Sequence, residues 1–266
     1  MTRLGVISDV HGNLHALDAA LDFLRGEELD GYLCAGDLVG YGPFPNECVR
    51  RILGLDGLCV AGNHDLIALG RLGDERCSSL ARASLRWTRR ALDDEARALL
   101  ASLPLGLERH GVAVRHGSIT DPAEYVLDEG RARACLDELA AVAPGAGVLV
   151  LGHTHRAMAV GRRRGLLLHE AAGEVALEPR EPVALNPGAV GQSRSRDPRA
   201  RVMVLDLSER LASFHALDYD VQACRRALRE RGLPEGSCHV PRSRWEDAVV
   251  AVKRRVGRVR TAPMTR

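Results

Sequence analysis

Five short apolar runs, each ending abruptly in polar residues, constrain the fold of this chain most strongly. The runs are "RLGVISDVHG", "GYLCAGD", "GLCVAGNHD", "GVAVRHG" and "GVLVLGHTH". Runs this short, rich in Val and Leu and closed by Gly, are typical of buried strands. Leucines at helical spacing predict a helix between the first two runs, with Asn13 as its N-cap. The chain therefore begins as a β-α-β series.

Further helices and strands follow this beginning. "PNECVRRIL" after Pro45 predicts a second helix, and residues 78–103 predict two more, with Asp93 or Asp94 starting the second of them. After residue 155 the sequence is typical of strands joined by tight turns, and residues 220–232 return to a helical pattern. We expect an α/β fold in which two stacked sheets carry helices outside.

The size and charge of the chain predict one domain with a basic end. A chain of 266 residues with 45% hydrophobic residues can bury one sizeable core, which we assign to residues 1–240. Residues 241–266 carry eight basic residues against two acidic ones and form a predicted tail that is partly disordered. The formal net charge of +2 gives no general argument for nucleic acid. Binding of nucleic acid through the tail is therefore an alternative that we do not favour.

The cysteines and the apolar runs indicate a cellular compartment. Seven cysteines are scattered without any C-x-x-C, which favours a reducing environment and gives no cysteine site for zinc. No run approaches the roughly 18 apolar residues that a membrane span needs. We expect a cytoplasmic protein with no membrane partner.

The ends of the five apolar runs carry the residues of a predicted metal site. In α/β sheets, ligands bind outside the carboxyl ends of the strands, so polar residues at these ends should meet. Asp9 and His11 are two residues apart, as are His153 and His155, and on extended backbone this spacing places both side chains on one face. The candidate residues are Asp9, His11, Asp37, Asn63, His64, Asp65, His116, His153 and His155.

These residue types favour a centre with two metal ions. Imidazole and carboxylate groups suit Zn, Mn, Fe, Ni or Co. Seven ligands are too many for one tetrahedral ion, but they suit two ions about 3.5–4 Å apart, the geometry used in phosphoryl displacement. A single D-x-H, G-D or H-x-H would be a weak signal, because each occurs by chance. Five such motifs, in order and each after an apolar run, are much more specific.

The ordered motifs "SDVHGN", "GD", "GNHD", "RHG" and "GHTH" resemble those of the calcineurin-like metallophosphoesterases. The resemblance extends from about residue 3 to residue 233 and is closest to the compact bacterial branch of the family. It implies a four-layer αββα sandwich of two mixed sheets and a centre of two divalent or trivalent ions, manganese first. It also implies that one ion is held by Asp9, His11 and His155, the other by Asn63, His116 and His153, and that Asp37 bridges them.

The resemblance also implies roles in substrate binding and proton transfer. His64 follows a ligand directly and corresponds to the family's general acid, and Asp65 could orient its imidazole. Gly62 would let the backbone turn sharply enough to aim the consecutive side chains after it in different directions. Arg194 matches a position that could bind phosphate, while Tyr41 and Tyr125 lie in loops expected at the rim of the site. A solvated or packing role is the alternative for these last three residues.

The chain departs from the usual family pattern by adding positive charge. Arg115 precedes the H-G motif, Ser195-Arg196 replace what is commonly an acidic residue and glycine, and "GRRRG" spans residues 161–165. We expect these arginines near the substrate loop, where they would favour a polyanionic substrate.

The leading functional hypothesis is a metal-dependent phosphoesterase that hydrolyses phosphate monoesters or diesters, with nucleotide-type or cyclic-nucleotide substrates favoured. A protein phosphatase is the nearest alternative, and a non-catalytic scaffold of the same fold is the alternative from another class. The scaffold hypothesis predicts erosion of the site, and every motif is intact. The sequence leaves the oligomeric state open.

Overall fold

A computed structural model describes residues 2–55 and 57–239 of the protein. The predicted basic tail, residues 241–266, lies outside these described residues. Seven α-helices are present in this part of the chain: α1 (Leu14–Arg25), α2 (Pro45–Leu53), α3 (Asn63–Ala68), α4 (Ser79–Ala91), α5 (Asp94–Ala101), α6 (Glu129–Val142) and α7 (Val221–Glu230). A 3₁₀ turn, Glu235–Cys238, follows α7. None of the described helices is long and apolar enough to cross a membrane.

The same residues form twelve strands. They are β1 (Arg3–Ile7), β2 (Gly31–Cys34), β3 (Gly57–Cys59), β4 (Gly106–Arg109), β5 (Val112–Arg115), β6 (Val148–Val150), β7 (Ala157–Gly161), β8 (Gly165–His169), β9 (Gly173–Ala176), β10 (Val183–Pro187), β11 (Ala200–Asp206) and β12 (Leu211–Leu217). All five predicted apolar runs are strands.

The strands form two six-stranded mixed sheets. The first has the order β3-β2-β1-β11-β12-β9 and the second the order β4-β5-β6-β10-β7-β8. β1, β2 and β3 are parallel neighbours in the first sheet, and β5 and β6 are parallel neighbours in the second. The carboxyl ends of these five strands carry the predicted metal-site motifs. The predicted fold class, two mixed sheets flanked by helices, is confirmed.

Three apolar layers hold the fold together. Leu4 and Val6 of β1 pack with Val114 and Val150 between the two sheets. Helices α1, α2, α4 and α5 cover the outer face of the first sheet, and α6 covers that of the second. Burial of an aliphatic side chain in such layers stabilises the fold by about 1.5–3 kcal/mol. The result is the predicted order of helix, sheet, sheet and helix layers.

Local sequence signals explain most of the helix ends. The Asn13 side chain accepts a hydrogen bond from Ala16 N at 3.2 Å and caps α1, as predicted. Asp93 accepts one from Ala96 N at 2.9 Å and caps α5, which decides between the two predicted starts.

Sequence reasoning missed α3, α6, β4 and β9. Helix α6 buries Ala132, Cys135, Leu136 and Leu139, a helical spacing that is visible in the sequence.

Candidate functional site

The strand-end motifs converge, but the backbone that carries them is not extended. Strand β1 ends at Ile7, and Asp9 (φ 54°) and His11 (φ 50°) both adopt left-handed backbone conformations. The same is true of Asp37 (φ 56°), His153 (φ 64°) and His155 (φ 58°). The prediction of extended D-x-H and H-x-H spacing was therefore wrong in its geometry. Left-handed conformations are tolerated best by Asp, Asn and His among residues with a Cβ, and they cluster at functional sites.

Three groups of potential ligands lie at this edge, and one of them, His11, Asp37 and His64, shares a residue with each of the other two. The ligand atoms of Asp9, His11 and His155 lie within 4.8 Å of one another, and so do those of Asp37, His116 and His153. All of these side chains are buried. Asn63, at the start of α3, adds a carbonyl oxygen 3.1 Å from His116 Nε2. Asp37 lies between the groups, because His11 Nε2 and His116 Nε2 are 3.6 Å and 3.3 Å from its Oδ2.

Backbone carbonyls orient three of the imidazoles toward the centre. The Nδ1–H groups of His11, His116 and His155 donate to carbonyl oxygens of Val39, Ala35 and Gln192, at 3.1, 2.6 and 2.6 Å. In the neutral tautomer each Nε2 then presents a lone pair to the centre. His11 Nε2 and His155 Nε2 are only 3.0 Å apart. Two lone pairs at this distance repel each other, so the arrangement calls for a cation.

The pKa values of the imidazoles fit metal ligation. Burial lowers the pKa of His11, His153 and His155 well below the usual value, so these rings are neutral near pH 7. Burial also acts to lower the pKa of His116, but the adjacent Asp37 carboxylate outweighs it and raises this pKa to about 10. A metal ion bound beside Asp37 would replace the proton on His116.

Unsatisfied buried atoms support the same conclusion. Asp37 Oδ2, His64 Nδ1 and His153 Nε2 are buried without a hydrogen-bond partner among the described residues. Such atoms are rare in folded proteins, because a buried polar group without a partner costs free energy. Two of the three belong to the candidate ligands. The residues present therefore fit a metal centre.

The contact predicted between Asp65 and His64 is wrong. The Asp65 carboxylate accepts hydrogen bonds from the backbone N–H groups of Asp37, Leu38, Val39 and Gly62, at 2.9, 2.9, 3.1 and 2.9 Å. Burial and the neighbouring Asp37 raise the pKa of Asp65 to about 7, and these N–H groups oppose the rise. Asp65 joins the turns after β2 and β3 and does not orient the imidazole.

Gly62 also acts differently from the prediction. Its backbone angles, φ −92° and ψ 174°, are extended and open to any residue. A Cβ at this position would overlap Asp37 Oδ1 and the Asp37 backbone nitrogen, and would lie 2.7 Å from Asp37 Cγ. Glycine is therefore required by the close approach of Asp37 and not by a sharp turn.

His64 and Tyr41 line one side of the centre. The His64 ring centroid lies 4.8 Å from those of both His11 and Tyr41. Gly40 (φ 91°) gives the ring its space, because a Cβ there would overlap His64 Nδ1. The backbone N–H of His64 donates to Asp37 Oδ1 at 2.8 Å, which links the imidazole to the candidate bridging carboxylate.

Tyr125 and Arg194 close the opposite side. The ring of Tyr125 stacks on His153 with 4.0 Å between centroids and 24° between planes. Arg194 Nη1 donates to the Tyr125 hydroxyl at 3.2 Å, and its Nε donates to Gln192 Oε1 at 3.2 Å. All three residues predicted to bind substrate thus lie at the centre, and whether they bind substrate remains a prediction.

A cleft of about 360 Å³ opens in front of these residues. Tyr41, His64, Tyr125, His153 and Arg194 line its inner end. Its outer walls come from the apolar side chains Ile67, Leu72, Leu80 and Ala123 and from the polar residues Glu75 and Arg76. We call this space the apolar cleft. Its size suits a small organic group, since ligand pockets begin near about 300 Å³.

Sequence reasoning missed several residues that position the ligands. Ser8 Oγ donates to Asp9 Oδ2 at 2.6 Å, and the backbone N–H of His153 donates to the same carboxylate. Asn186 Nδ2 donates to Gly152 O at 2.6 Å and so holds the turn before His153 and His155. "SD" and "NPG" contain Ser8 and Asn186, but short motifs do not reveal which polar atom a distant side chain contacts.

Arg115 and the arginines of the "GRRRG" segment lie away from the site. Arg115 donates to the carbonyl oxygens of Leu107 and Val114 within its own hairpin. The "GRRRG" segment forms the β7–β8 turn, where Arg162 pairs with Asp137 at 2.6 Å and Arg164 pairs with Glu181 at 2.9 Å. The expectation that these arginines add charge near the substrate loop is therefore wrong.

A family model for the calcineurin-like phosphoesterase superfamily domain matches residues 2–210. The chain belongs to this superfamily. It is 31% identical over 240 residues to the uncharacterized protein MJ0912 of Methanocaldococcus jannaschii, covering 88% of this chain and 95% of that protein.

Two solved structures share the fold. A metallophosphoesterase from Sphaerobacter thermophilus superposes with a TM-score of 0.76 and 32% identity, covering 89% of this chain and 96% of that one. The hypothetical protein PH1004 from Pyrococcus horikoshii superposes with a TM-score of 0.73 and 18% identity, covering 91% and 100%. At 18% identity the second comparison supports the fold alone. The family and the Sphaerobacter structure support a phosphoesterase, and the Asp and His clusters at the strand ends could bind metal.

Proposed function

We propose that this protein hydrolyses phosphate esters of small organic molecules at a centre of two metal ions, with manganese as the first candidate and Fe, Ni, Co or Zn as alternatives. The observation that carries the proposal is the 3.0 Å approach of His11 Nε2 to His155 Nε2, both held by carbonyls behind them. One ion would be held by Asp9, His11 and His155, the other by Asn63, His116 and His153, and Asp37 would contact both. Bound ions supply positive charge for the phosphoryl oxygens and activate the attacking water.

His64 would act as the proton donor to the leaving oxygen. It lines the apolar cleft beside the candidate ligands, and its Nδ1 is buried without a partner among the described residues. Its backbone N–H is fixed on Asp37, so the ring lies next to the place where a phosphate would bind. Arg194 would bind a phosphoryl oxygen, because a guanidinium pairs well with phosphate and its Nη2 donates no hydrogen bond to any described residue.

The apolar cleft favours a small ester over a phosphoprotein. Two tyrosines and several aliphatic side chains surround it, and Tyr41 and Tyr125 offer ring faces to an organic group. A nucleoside is of suitable size and chemistry, which supports nucleotide-type or cyclic-nucleotide substrates. A protein phosphatase is the alternative, and turnover of phosphopeptides exceeding that of small esters would establish it.

A leaving-group comparison tests the role of His64. We expect the full-length protein loaded with Mn²⁺ to hydrolyse both a p-nitrophenyl ester and an alkyl ester of phosphate. His64→Asn should lower kcat for the alkyl ester by about 10²–10⁴-fold, because a poor leaving group needs the proton most. The loss should be much smaller for p-nitrophenolate, and the metal content should not change.

The matched control is His215→Asn, which replaces a histidine that contacts Phe23, away from the centre. An equal loss for both esters in His64→Asn would exclude proton donation by His64. Failure of the wild-type protein to hydrolyse any monoester or diester, with metal bound, would exclude the proposed function. Comparison of p-nitrophenyl phosphate with its bis-ester assigns the preference between monoester and diester.

A further inference from the structure

A second cavity, of about 240 Å³, has His155 in its wall and is distinct from the apolar cleft. Arginines dominate its wall, and we call it the arginine pocket. Its charged lining residues are Arg156, Arg194, Arg196, Arg201 and Glu170. Arg194, the candidate phosphate-binding arginine, belongs to the walls of both cavities.

The charge of this wall is not balanced. Glu170 is the one acidic residue in the lining, and its carboxylate pairs with Arg156 Nε at 2.8 Å. Arg201 pairs with Asp197 at 2.9 Å, but the same carboxylate also binds Arg199. Arg196 makes no hydrogen bond or ion pair with any described residue. Like charges that face one cavity repel each other, and an anion bound between them would relieve this repulsion.

The loop before β11, which carries Arg194 and Arg196, is held by its own hydrogen bonds. Ser193 Oγ and Ser195 Oγ both donate to the Asp197 carbonyl oxygen, the latter at 3.0 Å. His239 Nε2 donates to the Ser195 carbonyl at 2.9 Å and ties the loop to the 3₁₀ turn.

Gly188 makes room for the stem of Arg201. It lies at φ 91°, and a Cβ there would lie 2.8 Å from Arg201 Cβ. With its stem packed against this glycine, Arg201 is largely buried, with its side chain 14% exposed. The pocket is therefore formed in advance by the fold and does not depend on long mobile side chains alone.

We propose that the arginine pocket binds a second phosphate of the substrate, so that the preferred substrate carries two phosphate groups. The inference rests on the proposed function for the position of the first phosphate. That phosphate would lie at the candidate metal centre, next to Arg194, with the organic group in the apolar cleft. The second would extend past His155 toward Arg156, Arg196 and Arg201, which supply charged N–H donors in the fork geometry that phosphate accepts.

Paired substrates test the inference with the full-length protein. The pair is a nucleoside monophosphate and the matched bisphosphate that differs only by a second phosphate on the ribose. We expect the wild-type protein to prefer the bisphosphate in kcat/KM. Arg196→Gln and Arg156→Gln should each lower the ratio of the two kcat/KM values by about tenfold, the effect of losing one charged hydrogen bond. Arg196→Gln is the cleaner variant, because it removes no contact with a described residue.

The matched control is Arg162→Gln. Arg156 precedes β7 and Arg162 follows it. Like Arg156, Arg162 forms one ion pair, with Asp137, but Arg162 lines neither cavity. Arg162→Gln should leave the ratio of the two kcat/KM values unchanged. Binding of inorganic phosphate to the metal-free protein, measured by calorimetry in EDTA, provides a readout that does not require turnover. We expect Arg156→Gln and Arg196→Gln to weaken it about tenfold, and Arg162→Gln to leave it unaltered.

Each result decides one part of the inference. An unchanged substrate ratio in Arg156→Gln and Arg196→Gln, in a protein that does hydrolyse esters, would overturn it. If phosphate binding weakened while the ratio stayed constant, the pocket would be a site for free phosphate and the substrate assignment would be wrong. If the wild-type protein hydrolysed no ester, the proposed function would fail, and calorimetry would still show whether the pocket binds phosphate.

Discussion

The carboxylate of Asp65 accepts a hydrogen bond from the backbone N–H of Asp37 at 2.9 Å. Asp37 in turn accepts one from the backbone N–H of His64 at 2.8 Å through its own carboxylate. The backbone of Asp37, which we propose to bridge two ions, is thus held by the side chain of Asp65. The side chain of Asp37 in turn holds the backbone at the start of α3. Two predictions concern this connection.

Asp65→Asn should lower the free energy of unfolding by about 3 kcal/mol. An amide cannot accept hydrogen bonds from all four backbone N–H groups, because its NH₂ group would replace one of the two carboxylate oxygens. The two N–H groups that donate to that oxygen would lose their acceptor. Chemical denaturation measures the change, and Asp22→Asn on the exposed face of α1 is the control. If the variant kept wild-type stability but lost turnover, Asp65 would act on His64 after all.

Gly62→Ala should weaken metal binding by about 10–100-fold, the range seen when residues behind metal ligands are changed. The new methyl group would force Asp37 to move, although the backbone angles of residue 62 suit alanine. Metal content after competition with a chelator measures the affinity. Gly145→Ala, where a Cβ meets nothing within 4 Å, should bind metal normally. Equal affinities in the two variants would contradict this account of Gly62.

Tyr125→Ala should raise KM for a nucleotide by about tenfold, because the stack on His153 and the bond to Arg194 are both lost. Tyr125→Phe keeps the ring and should raise KM less. Steady-state kinetics separate the two effects, and Leu166→Ala, at another exposed apolar side chain, serves as the control. Equal values of KM in the Ala and Phe variants would assign the whole effect to the hydroxyl.

The contribution of Glu124, next to Tyr125, to the free energy of unfolding should depend on pH. The bidentate hydrogen bonds from Arg131 lower the pKa of Glu124 to about 2 in the folded state. The unfolded chain binds this proton near the ordinary value, so the ion pair contributes its full stability above about pH 4.5 and loses it as the pH falls through about 2. Because the pair is partly exposed, we expect about 1 kcal/mol or less.

The free energy of unfolding of Glu124→Gln, measured between pH 6 and the acid range, tests this expectation. The difference from the wild-type protein should shrink as the pH falls. Glu209→Gln, on an exposed turn, should show no such trend. A difference that grew on acidification would have the wrong sign for a carboxyl group whose pKa is lowered.

The strand-end motifs made the site largely predictable from sequence. Parallel strands bring their carboxyl ends to one edge of a sheet, which groups the polar residues after β1, β2 and β3 in the first sheet and those after β5 and β6 in the second. Local signals such as Asn13 before α1 likewise act over a few residues and can be read without the fold. Helix α6 was missed although the helical spacing of its apolar residues is present in the sequence, so no physical limit prevented its prediction.

The sequence by itself determined the five strands that end in polar motifs, the motifs themselves and the chemistry that those residue types allow. Tertiary structure decided which atoms face each other. It placed Asp65 on the backbone of Asp37 instead of His64, aligned Arg156 and Arg201 along one cavity, and sent the "GRRRG" arginines to ion pairs elsewhere. The physical reason is that strand position follows from local patterns, whereas hydrogen bonds and charge clusters join residues far apart in the chain and depend on how the sheets and loops pack.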